Sequence, residues 1–181
     1  CISCLYFAGM SLFDAVNHGF STVATAGFST KNNSIGYYDS ALIEGIVILF
    51  MLLSALPMTF FVMLMQNKFR HSLRTAQVVA FLKVVFWCVL AMAVWLRFSG
   101  VYESFIKALR YAAFNVVSII TTTGLSSADY LSWGAFAVIA FTMIGLIGGC
   151  SGSTTGSIKI SRWQVITAFF RQTLALAVST K

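Results

Sequence analysis

The chain has 181 residues, of which 59% are hydrophobic and only 9% charged. A soluble domain carries about 25% charged residues, so this composition and a mean hydropathy of +0.86 point to a bilayer. The net charge of +7 is spread over loops, without a basic run interleaved with aromatics. This excludes a nucleic-acid partner and suits orientation in a membrane.

The sequence opens at Cys1 inside an apolar segment, with no initiator Met or basic n-region, and ends in one that reads as unfinished. It reads as a fragment of a larger polytopic protein. The first unit, residues 1–66, is read as a pore half-helix, a filter loop and an inner helix. Within it, STVATAGFST (Ser21–Thr30) has no charge and, apart from Phe28, almost no bulky apolar residue. Ala41–Met65 is long enough, at about 1.5 Å per residue, to cross a hydrocarbon core of roughly 30 Å. Pro57 predicts a kink in its inner half, and Glu44 is placed near one end, within reach of the interface.

Gln66–Thr75 holds Lys68, Arg70 and Arg74 and no acid, so residues 67–75 are read as a cytoplasmic loop by the positive-inside rule. Residues 76–178 are read as a second, complete repeat. Its outer helix spans 76–96, with Lys83 either snorkelling to the interface or facing a cavity. A pore helix and filter span 103–127; the helix is too short and polar to cross. On it, Lys107 and Arg110 share one face, and Ala108, Ala112 and Val116 another. The pattern from Trp133 to Ile147 covers about 22 Å as a helix, short of the bilayer core. It runs into GGCSGSTTGSIK (Gly148–Lys159), so 133–178 is read as a broken inner helix. Lys159, Arg162 and Arg171 mark the cytoplasmic side.

Placing Gly27 over Gly124 at an offset of 97 residues aligns Leu12 with Leu109, Ala15 with Ala112, Ser21 with Ser118, Thr25 with Thr122, Phe28 with Leu125, and Ser29 with Ser126. Each loop precedes an apolar helix. The unit is therefore helix, re-entrant half-helix and loop, helix, with the leading helix of the first copy absent. The expected fold class is an all-α polytopic membrane protein. It is built of potassium-channel-like helix–pore-loop–helix units, one inner helix being broken by a Gly-rich loop.

Non-helical backbone at membrane depth survives only where protein buries it or water reaches it. Small residues and glycine suit a loop that offers main-chain oxygens: Ala24, Thr25, Ala26 and Gly27 in one copy, Thr121, Thr122, Thr123 and Gly124 in the other. The half-helix C-termini carry partial negative charge toward the same place. No carboxylate lies in either core, which argues for a monovalent cation held by carbonyls. The other reading of both loops is an ordinary helix C-cap followed by an outer turn.

Three stretches, HGFSTVATAGFST (His18–Thr30), SIITTTGLSSADY (Ser118–Tyr130) and IGGCSGSTTGSIKISR (Ile147–Arg162), resemble the Trk/Ktr/HKT superfamily of potassium transporters, nearest its bacterial TrkH/TrkG branch. The resemblance covers essentially the whole chain. It implies four helix–loop–helix repeats in one protein, of which these residues hold most of the second and all of the third. It implies K+ as the transported ion, at the carbonyls of Thr25, Ala26, Thr122 and Thr123. It makes Gly148, Gly149, Ser151, Gly152, Ser153, Thr154, Thr155 and Gly156 a gating loop below the filter; without it, the segment also reads as a cytoplasmic linker. It further implies the bacterial inner membrane, a homodimer, and a cytoplasmic nucleotide-binding regulatory subunit. A blocking arginine belongs to a fourth repeat outside this chain. Leu125 stands where the family often has Phe, Ala26 where a glycine or threonine is common, and Thr155 and Ser157 where the loop has glycines. These departures bear on fine selectivity and gate flexibility.

The residue pattern offers little to other functions. Cys1, Cys4, Cys88 and Cys150 are scattered, and Cys1-x-x-Cys4 lacks the second pair a metal site needs. His18 and His71 are the only histidines. No Ser/His/Asp set, HExxH or paired carboxylates occur, so neither an enzyme nor a cofactor is expected. A secondary transporter with discontinuous helices is the alternative, but Lys83 is nearly the only charge at mid-depth. A less selective Na+/K+ path also remains open. Lys159 and Arg162 serve either as positive-inside anchors or as contacts for cytoplasmic groups.

Overall fold

The computed structural model describes residues 1–66 and 75–179, with side chains as far as residue 177. Lys68, Arg70, His71 and Arg74 lie outside the described residues. Those described form eight α-helices and no named strand: α1 Ile2–Phe7, α2 Leu12–Val23, α3 Ala41–Ser54, α4 Met58–Met65, α5 Ala76–Phe98, α6 Phe105–Ile120, α7 Ala135–Gly145 and α8 Ile160–Ser179. The fold is all-α. α5, with 23 residues, is long and apolar enough to cross a membrane by itself.

α5 and α6 pack along one another through the small-residue stripe of α6. Ala108, Ala112 and Val116 are fully buried against Met92, Ala93 and Leu96. Small side chains let two backbones approach closely, which is how helices gain van der Waals contact in lipid. Trp133, in the turn just before α7, and Ala137 and Phe141 of α7 close the same cluster. A second cluster joins Leu5, Val47 and Met51 of the first unit to Phe81, Phe114, Val117 and Ile120 of the second.

Two expectations need correction. The apolar run Ala41–Met65 is not one kinked helix. It is two helices, α3 and α4, bent by 94° at Ala55–Pro57. Pro57 cannot donate to the helical ladder, and its ring clashes with the preceding turn. Here the backbone groups exposed at the break are taken up by the glycine-rich loop of the same chain. The Ala55 carbonyl accepts from the Cys150 amide at 3.0 Å, and the Met58 amide donates to the Gly152 carbonyl at 3.1 Å.

Glu44, expected at the interface, is instead only 1% exposed. It takes a bidentate pair from Arg110 of α6, Nε to Oε2 at 2.8 Å and Nη2 to Oε1 at 2.9 Å, while Asp39 takes a third bond at 3.0 Å. This pair ties the two units together across the α3–α6 contact. Lys83, by contrast, lies exposed on α5.

Candidate filter and gating loop

α2 ends at Val23 and α6 at Ile120, at the same 97-residue spacing as the glycines. Both terminate in the same cap. Ala26 N–H donates to Ser21 O at 2.9 Å and Thr25 N–H to Thr22 O at 3.4 Å. In the second copy, Thr123 N–H donates to Ser118 O at 2.8 Å and Thr122 N–H to Ile119 O at 2.9 Å. These 6→1 and 5→2 bonds are those of a Schellman motif, whose left-handed residue is usually glycine. Here it is threonine: Thr25 has φ 51° and Thr122 φ 55°. A β-branched residue in this region is strained, on the order of 1–3 kcal/mol. That both copies accept the strain directs attention to the threonine hydroxyls.

The cap reading and the filter reading are therefore compatible, because the capped loops meet. φ is again positive at Gly27 (77°) and Gly124 (80°), so its sign alternates through residues 25–27 and 122–124. Alternation of hand turns successive peptide groups to one side of the chain. A Cβ on Gly27 would stand 2.3 Å from the Thr123 carbonyl oxygen and 3.4 Å from the Gly124 Cα. Beyond this contact the outgoing legs interlock: Gly36 N–H donates to Ser126 O at 3.1 Å, and Ser126 N–H to Ser34 Oγ at 3.2 Å. A cavity of about 410 Å³ opens there, lined among others by Asn32, Asn33, Gly124 and Asp129. Ala24 and Ala26 are exposed. The side chains of Thr121 and Thr123 are buried, their hydroxyls bonded to each other at 2.8 Å.

The glycine-rich loop lies directly against both threonines. The Thr25 hydroxyl reaches Ala24 O at 2.7 Å and Thr154 O at 3.1 Å. The Thr122 hydroxyl accepts from Gly156 N–H at 2.7 Å. Residues of the two helix-capping loops and of the glycine-rich loop, separated by up to 129 positions, are thus brought together. The loop is tightly folded: a Cβ on Gly148 would stand 2.3 Å from Gly156 O, and one on Gly149 2.9 Å from Ala55 O. Gly148 N–H donates to Ile158 O at 2.8 Å and Ile160 N–H to Gly149 O at 3.1 Å, which returns the chain to α8. Ser151 N–H reaches Gln77 Oε1 at 3.2 Å. The two positions that depart from glycine both carry structure. Thr155 Oγ1 accepts from Gly149 N–H at 3.1 Å. Ser157 adopts φ 58° and donates to Gly145 O at 2.6 Å. An apolar cavity of about 260 Å³ flanks Thr154, between Val23, Leu53 and Phe61. Thr122→Val removes the acceptor and keeps the shape. It is expected to cost about 1 kcal/mol and to speed hydrogen–deuterium exchange in peptides covering residues 148–158.

Sequence reasoning passed over two supporting side chains. His18 is fully buried; its Nδ1 lies 2.8 Å from Asp14 O and its Nε2 2.9 Å from Ser29 Oγ. The Asp14 carbonyl can only accept, so Nδ1 carries the proton and Nε2 accepts from the Ser29 hydroxyl, whose oxygen accepts from Lys31 N–H. Asn115, aligned with His18 at the same offset, donates to Tyr111 O at 2.9 Å and Ser127 Oγ at 3.2 Å. Both brace the outgoing leg of a loop from the helix behind it. The signal was the repeat itself, once polar positions are compared as roles rather than identities. His18→Asn is expected to fold and bind like the unaltered protein. His18→Leu strands the Ser29 hydroxyl and is expected to cost about 1–3 kcal/mol, read as a lower thermal midpoint in detergent.

The family model described as a TrkH cation transport protein matches residues 2–176. The chain is 39% identical over 170 residues to the Trk system potassium uptake protein TrkI of Halomonas elongata, covering 93% of this chain and 34% of that protein. It is 37% identical over 163 residues to TrkH of Escherichia coli K12, covering 90% and 34%. The crystal structure of the potassium transporter TrkH from Vibrio parahaemolyticus superposes with a TM-score of 0.94 at 32% identity, covering all of this chain and 39% of that one. The chain thus spans about a third of the length of the curated relatives it matches. With the family model covering nearly every residue, and the whole chain superposing on a solved member, the chain belongs to the TrkH family of cation transport proteins.

Proposed function

We propose that this chain supplies two pore-loop units of a bacterial inner-membrane protein that takes up K+. The curated relatives are named as potassium uptake proteins. The contact of Gly27 with Thr123 and Gly124 is the observation that carries the reading, because it sets two uncharged, identically capped loops side by side. In this reading K+ sheds water in the outer vestibule near Asp129. It then rests among the carbonyls of Thr25, Ala26, Thr122 and Thr123, favoured by the negative ends of α2 and α6. Residues 148–156 close the path beneath. Residues 1–66 form one repeat and 76–178 the next, joined by a cytoplasmic segment. K+ is cargo, and no cofactor takes part. A homodimer and a cytoplasmic nucleotide-binding regulatory subunit complete the assembly.

The test is flux of K+, Rb+ and Na+ through the full-length protein in proteoliposomes. K+ and Rb+ are expected to pass in preference to Na+. Equal passage of all three, or none of any, removes the filter assignment.

A further inference from the structure

The glycine-rich loop has two faces, and consecutive residues alternate between them. Thr154 and Gly156 bond to the two strained threonines of the pore loops. Ser153 and Thr155 turn the other way and converge on the ammonium of Lys159. Lys159 Nζ lies 3.4 Å from both Ser153 O and Ser153 Oγ, 3.0 Å from Thr155 Oγ1, and in close hydrogen-bond contact with Thr155 O.

The hydroxyl protons in this group can all be placed. The Ser153 hydroxyl donates to Cys150 O at 2.7 Å. The Thr155 hydroxyl then donates to Ser153 Oγ at 2.8 Å. What faces Lys159 is therefore acceptor oxygen only: two carbonyls and two hydroxyl lone pairs, without a carboxylate. No ion pair to Lys159 occurs among the described residues. A neutral cage of carbonyl and hydroxyl oxygens is the kind of site that replaces the water shell of a monovalent cation.

An anchoring lysine would send its head to water. This one folds back onto the loop from the residue just before α8, where the positive end of the helix dipole disfavours a cation. The oxygen cage accounts for that placement.

We infer that the Lys159 ammonium occupies a monovalent-cation site built into the glycine-rich loop, and so pins the loop beneath the two threonines of the pore loops. The inference rests on the reading of residues 148–156 as the closure of a cation path. The ammonium is a tethered internal cation. While it stays, the face carrying Thr154 and Gly156 is held against Thr25 and Thr122; when it leaves, the loop is free to move.

The experiment uses the full-length protein in proteoliposomes, with cysteines other than Cys150 replaced. Cys150 is fully buried at the start of the loop, so its alkylation by N-ethylmaleimide reports loop opening whether or not ions flow. Lys159→Met is expected to raise the alkylation rate about tenfold and basal Rb+ flux by a similar factor. Lys159→Gln, which keeps a donor without charge, is expected to fall between and serves if the methionine variant does not fold. An alkylation rate equal to that of the unaltered lysine overturns the latch, even if flux changes. Faster alkylation with unchanged flux upholds the latch and instead removes the loop from the conduction path.

Discussion

Gly27→Ala is expected to reduce selective K+ flux through the full-length protein by more than tenfold, and Gly124→Ala to do less. Both glycines have left-handed φ, near 77° and 80°, so either alanine carries strain of about 1–2 kcal/mol. They differ in what the new methyl meets. At Gly27 it would stand 2.3 Å from the Thr123 carbonyl oxygen, too close for any rotamer to relieve, since both atoms are fixed by backbone. The carbonyl that has to retreat is one of the proposed ion ligands. At Gly124 the nearest atom is the Gly27 Cα at 3.9 Å, an ordinary contact. Rb+ and Na+ uptake into proteoliposomes measures the difference. A Gly27→Ala protein that transports and discriminates like the original would show that these loops do not line the path.

The second large effect concerns stability. Arg110→Met is expected to destabilise the fold by about 3–5 kcal/mol, because it leaves the Glu44 carboxylate charged and buried without its partner. Glu44 is 1% exposed and receives two of Arg110's donors in a bidentate pair. Glu44→Gln keeps an acceptor and removes the charge, so its loss should be smaller. Combining Glu44→Leu with Arg110→Met should recover much of the Arg110→Met loss, since no lone ion remains. Thermal unfolding in detergent followed by size exclusion gives these three values and that of Glu44→Leu alone. Additive losses in the double variant would mean that the pair does not couple α3 to α6.

Much of this architecture was readable in one dimension. The scarcity of charge dictates a lipid environment, and length separates α5, which can span, from α6 and α7, which cannot. The 97-residue offset needed only residue types. It leads to helix ends at Val23 and Ile120 and to positive φ at four matched positions, because capping and glycine chemistry are local. The stripe Ala108, Ala112 and Val116 follows from helical period alone.

What the sequence left undecided depends on partners far away in the chain. Nothing near Pro57 says whether an apolar helix kinks or breaks. The 94° bend is settled by Cys150 and Gly152, which take up the backbone groups the break exposes. Glu44 looked like an interface residue because it stands near one end of an apolar segment, and only the arrival of Arg110, 66 positions later, makes burial tolerable. Thr25 and Thr122 looked like small residues suited to a loop; their strain acquires a reason once Thr154 and Gly156 are seen against them. Lys159 likewise read as an anchor until the loop oxygens surrounded it. Local pattern specifies where backbone can bend and which face is apolar. Which freed polar group meets which is a matter of three-dimensional closure, and in a low-dielectric interior an unmet group costs too much to leave standing.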